Sequence, residues 1–132
     1  PLEIIADCQM LTSEKPKTGG VRLHTGPEEF TTIGYDVANH RLFVDRTRAG
    51  AAAFNPAFPA VHVAELAPID GQIRLQILLD RSSVEVFGNH GEIVITDRIF
   101  PSDGSRHIEW FSIDHSFRLD SLSLYTLSLT KG

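Results

Sequence analysis

Residues 77–101 read ILLDRSSVEVFGNHGEIVITDRIFP, and this stretch decides the fold. Val84 and Val86 alternate with polar neighbours, then Asn89-His90-Gly91 supplies a glycine-containing turn, and "EIVITDRIF" resumes the β-rich pattern. Two such runs around a short turn predict an antiparallel hairpin. Just upstream, "QIRLQILLD" sets Ile73, Leu75, Ile77 and Leu79 on one face, the period of a half-buried strand.

The same alternation extends outward. In "PLEIIADCQM", Leu2, Ile4, Ala6, Cys8 and Met10 share one face. "TSEKPKTGG" reads as a polar loop marked by Pro16 and two glycines, followed by a short strand "VRLH". "FTTIGYD" and "RLFVDR" flank "VANH", a four-residue hairpin connection. "AGAAAFNPAFPA" reads as a loop pinned by Phe54 and Phe58, and "VHVAEL" as a strand ending in the turn "APIDG". "RHIEWFSI" and "FRLDSLSLYTLSL" complete the set. The leucines of the last segment could suit a helix over part of its length, but "SLSLYTLSL" alternates with Ser and Thr between apolar residues, so a strand is predicted. Ten or so short strands and no helix of more than about two turns predict an all-β fold, a two-sheet antiparallel β-sandwich of jelly-roll or lectin-like type.

Bulk properties narrow the function. The chain has 132 residues, so residues 1–132 are expected to form one domain with an adequate core. A formal charge of −5 argues against nucleic acid and against an anionic membrane surface. No apolar run approaches the ~20 residues that span a bilayer. The first residue is Pro1, so the chain is expected to be processed or part of something longer. Cys8 is the sole cysteine, which allows no internal disulfide and no thiolate metal site. The six histidines are scattered without ligand spacing, so no metal and no cofactor is expected.

Asp-Arg occurs three times, at Asp45-Arg46, Asp80-Arg81 and Asp97-Arg98, each after an apolar run. A sugar clamp is one reading: a carboxylate accepts from hydroxyls, and a guanidinium donates in a fixed fork. Asp80, Arg81 and Glu85 are the candidate carbohydrate-binding residues. Scaffolding is the weightier reading. Neighbours on a strand point to opposite faces, and an Arg of one turn can bridge to an Asp of another, tying sheet edges together. A glycosidase needs two carboxylates flanking the scissile bond. Asp97 and Glu85 fall on adjacent predicted strands, but a pairing of Asp97 with Arg98 or another base is the stronger expectation. Ser82-Ser83 has no nearby His or elbow glycines, and no catalytic residue is assigned. Trp110 shares a face with Ile108, which points to packing in the core or against a neighbouring domain rather than to a sugar platform.

These residues resemble a known family. "TTIGYD" with "RLFVDRTRAG", and "LQILLDRSSVEVFGNHGEIVITDRIFP", are similar to the C-terminal β-sandwich module of glycoside hydrolase family 32, the levanases, inulinases and invertases that cut β-fructosides. The resemblance is strongest from Thr31 to Pro101. It implies two packed antiparallel sheets, and Asp80, Arg81, Ser83, Glu85 and Phe87 match the module's structural hallmark. In that family a five-bladed β-propeller preceding the module carries Asn-Asp-Pro, Arg-Asp-Pro and Glu-Cys catalytic motifs. This chain has no Asp-Pro, and its cysteine follows Asp7, so the resemblance carries over no catalytic residue and implies that the propeller is absent from the chain. It implies an accessory module that braces a catalytic propeller and, in some members, aids dimerisation, with Phe54, Phe58 and Trp110 as domain-interface candidates. An extracellular or periplasmic setting is favoured over a cytoplasmic one. The alternative is a fructan-binding module, which needs polar or aromatic groups converging in a shallow pocket.

Overall fold

A computed structural model describes residues 2–11, 18–26, 29–48, 61–80, 83–98, 107–112 and 117–126. Ten strands account for nearly all of them: β1 Leu2–Met10, β2 Thr18–Gly26, β3 Glu29–Asp36, β4 Arg41–Arg48, β5 Val61–Glu65, β6 Gln72–Leu79, β7 Ser83–Gly88, β8 Ile93–Arg98, β9 His107–Ser112 and β10 Phe117–Thr126. They form two five-stranded sheets, ordered β10-β1-β6-β7-β8 and β5-β4-β3-β2-β9. Every pairing is antiparallel.

Strand alternation builds the core. Ile4, Ala6 and Cys8 of β1, Ile73, Leu75 and Ile77 of β6, and Val84 and Val86 of β7 face inward from the first sheet. Val21 and Leu23 of β2, Ile33 and Tyr35 of β3, and Leu42 and Val44 of β4 meet them from the second. The two inner faces close on each other as in a β-sandwich. The hydroxyl of Tyr35 is satisfied by donating to the Leu66 carbonyl at 2.6 Å, which a buried polar tip requires. A side chain on Gly88 would meet Leu66 Cδ2 at 2.6 Å, so the absent Cβ is what lets Leu66 seat against the opposite sheet.

The predicted turns lie where the sequence puts them. Val37–His40 joins β3 to β4, and residues 89–92 join β7 to β8. Left-handed backbone at Asn89 (φ 55°) and Gly91 (φ 85°) makes the second reversal, as such a tight turn demands.

Two expectations need correction. β2 begins at Thr18, so Gly19 and Gly20 are strand residues rather than loop. Gly19 faces the ring of Phe117, whose Cδ2 would lie 2.8 Å from a Cβ there. The second correction is a β-bulge in β10. Cys8 pairs with Leu119 but Asp7 pairs with Ser121, leaving Asp120 as the extra residue. That insertion flips the alternation, which is why Leu119 and Leu122 sit three apart yet belong to the same face.

Candidate functional site

Asp97 is the group most at odds with its surroundings. It continues the inward series Ile93, Ile95, Asp97 on β8 and is only 2% exposed at its side chain. Arg46 continues the inward series Leu42, Val44, Arg46 on β4 of the other sheet, and is equally buried. The Arg46 Nη2 lies 3.6 Å from Asp97 Oδ1, and His62 Nδ1 of β5 lies 2.5 Å from the same oxygen. Burial pushes the Asp97 carboxyl above its usual range, against the opposing pull of Arg46 and His62. Among the described residues no donor reaches its Oδ2. The cluster therefore ties an edge of one sheet to the other from within. Glu85, opposite Thr96 on β7, alternates with the buried Val84 and Val86 and so lies on the outer face. Asp97 and Glu85 look in opposite directions and cannot flank one substrate bond.

A second polar cluster lies on the outer face of the first sheet. Arg74 of β6 grips Asp7 of β1 through Nε at 2.7 Å and Nη2 at 3.1 Å. Ser121 of β10 donates to Asp7 Oδ2 at 3.1 Å. This bidentate pair holds the Asp7 carboxyl below its usual value, chiefly through the Arg74 hydrogen bonds. The turn residue Asn89 locks the neighbouring loop: its Oδ1 accepts from Arg74 N at 3.1 Å and its Nδ2 donates to Ala67 O at 3.1 Å. Around them lies an open pocket of about 430 Å³, with Asp70, His90 and Asp120 on its walls and Ile69 as an apolar wedge. Its mixed donors and acceptors suit neutral hydroxyl groups.

The residues singled out in the sequence are dispersed. Asp80 follows β6, its backbone N–H donating to Ser83 O at 3.0 Å, at the far end of the sheet from the pocket. Arg81, Phe54 and Phe58 lie outside the described residues. Trp110 lies on β9, partly buried against the core, with its ring stacked on Phe117 at 5.7 Å. Sequence reasoning overlooked Arg46 with His62 as the partners of Asp97, and the Asp7–Arg74 pair. The signal was present in both. Continuing the apolar alternation by one step brings Arg46 and Asp97 to the inside, and Asp7 and Arg74 are polar members of adjacent strands. Among the described residues, no three His, Cys, Asp or Glu side chains converge as metal ligands.

Residues 2–126 match the family described as glycosyl hydrolases family 32 C terminal. A levanase of Bacillus subtilis (strain 168) is 43% identical over 114 residues, which is 86% of this chain and 17% of that protein. An extracellular exo-inulinase of Aspergillus niger is 39% identical over 104 residues, 76% of this chain and 19% of that protein. The crystal structure of an exo-inulinase from Aspergillus awamori superposes with a TM-score of 0.80 at 33% identity, covering 96% of this chain and 25% of that one. The chain thus spans less than a fifth of the length of these two curated relatives.

Proposed function

Because this chain belongs to glycoside hydrolase family 32, as its C-terminal module, we propose that it is the non-catalytic accessory sandwich of a β-fructoside-hydrolysing enzyme. In this reading it braces a catalytic propeller that lies elsewhere in the parent polypeptide. The observation that carries the reading is the use made of the best-placed ionisable groups. Asp97, the most enclosed carboxylate among the described residues, is spent on Arg46 and His62 inside the sandwich, and such internal ties serve rigidity rather than chemistry. The test pairs two measurements. The isolated chain is incubated with sucrose, inulin and levan and assayed for released fructose; none above a denatured control is expected. The parent enzyme is then compared with a version lacking this module, which is expected to melt earlier. Fructose release by the chain, or an unchanged melting temperature, would overturn the proposal.

The pocket beside Asp7 and Arg74 favours a second reading, a fructan-binding role for the same module. Exposed Asp70 and His90 and the anchored Arg74 offer hydroxyl partners in one concavity, the arrangement a shallow sugar site needs. Titration of the chain with inulin oligosaccharides, followed by amide shifts, decides it. Shifts confined to residues 69–74 and 89–91 support binding there, and an unperturbed spectrum removes it.

A further inference from the structure

Leu122 and Leu124 of β10 point the wrong way for their exposure. The register pairs them with Ala6 and Ile4 of β1, so all four project from the same face of the sheet, the one that forms the sandwich interior. Ala6 and Ile4 are completely buried, whereas Leu122 is 39% and Leu124 53% exposed. The first half of β10 is covered, since Phe117 is buried against Tyr35 and Trp110. Beyond the bulge at Asp120 no described residue buries Leu122 or Leu124, and among the described residues the interior face of this edge strand is exposed, with Tyr125 exposed on the outer side. An edge strand with unprotected apolar side chains is a pairing and aggregation hazard unless something lies over it.

The position of the strip indicates what that is. Leu2, the first residue of β1, pairs with Thr126, two residues past Leu124. Any polypeptide that leads into β1 therefore arrives beside the strip. The module is the C-terminal part of its family, and the matched segments make up only 17% and 19% of two curated relatives. We infer that Leu122 and Leu124 are the seat of the linker that leads into β1 in the parent enzyme, which completes the sandwich interior along β10. The inference rests on the bracing reading and names the surface through which it acts.

The test places Leu124→Lys in the full-length enzyme and, separately, in the 132-residue chain. Val94→Lys serves as control, because Val94 is 52% exposed on the opposite edge strand. In the full-length enzyme Leu124→Lys should lower the melting temperature by ~2 °C or more and speed protease cleavage between the module and the rest. Val94→Lys should do neither. In the isolated chain, Leu124→Lys should shift the melt no more than Val94→Lys does. An equal loss in both proteins would overturn the inference by making the strip internal to the module, covered for instance by residues 127–132. No loss in either would make it plain free surface. A concentration-dependent dimer of the isolated chain that Leu124→Lys dissociates, with the full-length enzyme unaffected, would give the strip to a second copy. Deleting the module separates the two levels. If the deletion leaves the remainder equally stable, the bracing reading itself fails; if deletion destabilises and Leu124→Lys does not, only this surface falls.

Discussion

Arg46 of β4 and Asp97 of β8, each 2% exposed at the side chain, meet at 3.6 Å across the space between the two sheets. Each comes from one of the three Asp-Arg dipeptides, so the repeated pair works between copies and not within one. Desolvation of both charges is costly, and the carboxyl shows it: burial raises its pKa despite Arg46 and His62 beside it. Removing Arg46 takes away the influence that pulls that value down. Arg46→Met should therefore destabilise the chain by about 3 kcal/mol near neutral pH. A carboxyl whose folded pKa is raised destabilises the fold wherever the unfolded chain would ionise it. That penalty is absent below both pKa values, grows as pH rises from the unfolded value to the folded one, and is complete above it. The loss from Arg46→Met should accordingly shrink as Asp97 becomes protonated in acid, and adding Asp97→Asn should recover much of it near neutrality. Urea unfolding at about pH 4 and about pH 7 reads both effects. A loss independent of pH would mean that packing, not charge, set the cost.

Asp7 carries the opposite sign. Its Arg74 partner holds its folded pKa below the usual 3.8, so its contribution is present above that value and is lost as pH falls through the folded one. The side chains are 38% and 43% exposed, and solvent screening limits the pair to under ~1 kcal/mol. Asp7→Asn should cost that little at neutral pH and nothing at strongly acid pH. Carboxyl NMR titration should place the Asp7 midpoint below 3.8, and a midpoint above it would contradict the bidentate geometry.

Period-2 alternation made most strands legible, β1 and β6 best, because Ile4, Ala6 and Cys8, and Ile73, Leu75 and Ile77, repeat without interruption. It failed where a residue carries no side chain to count, as at Gly19 and Gly20, and where the count is broken, as by Asp120 in β10. The internal tie was hidden for a different reason. A charged residue at the end of an apolar series is conventionally assigned to solvent, yet Asp97 and Arg46 each keep the inward parity, and only the stacking of two sheets brings them together. No local pattern encodes that stacking. Nor does the sequence of β10 disclose that its inner leucines are exposed among the described residues, because cover depends on where the opposite sheet stops.

Cys8 supplies a clean measure of the whole fold. It is 1% exposed on β1, flanked by β6 and β10, and burial pushes its thiol far above the usual range. Only the thiolate attacks an electrophile, so a thiol reagent at mildly alkaline pH should leave the native chain unlabelled. Labelling should begin in urea together with the change in Trp110 fluorescence, since both residues pack in one core. Full labelling in the native baseline would show that β10 peels from β1 before the sandwich unfolds.

The middle dipeptide, Asp80-Arg81, decides between scaffold and sugar clamp. Arg81 follows β6 and precedes β7, and β7 pairs with the strand that carries Asp97. Asp97 Oδ2 has no donor among the described residues, whereas its Oδ1 is shared by Arg46 and His62. A guanidinium from the β6–β7 corner is suited to that second oxygen by its fork of donors. Arg81→Ala should then lower stability by about 3 kcal/mol if the pair is buried and by under ~1 kcal/mol if it is exposed. Combined with Asp97→Asn, the two changes should cost less than their sum, the signature of a direct contact. Affinity for inulin or levan should be untouched by Arg81→Ala. Strict additivity with Asp97→Asn would break the proposed link. Loss of fructan binding at unchanged stability would go further, making the hallmark residues Asp80, Arg81 and Glu85 a clamp on sugar instead of a corner of the scaffold.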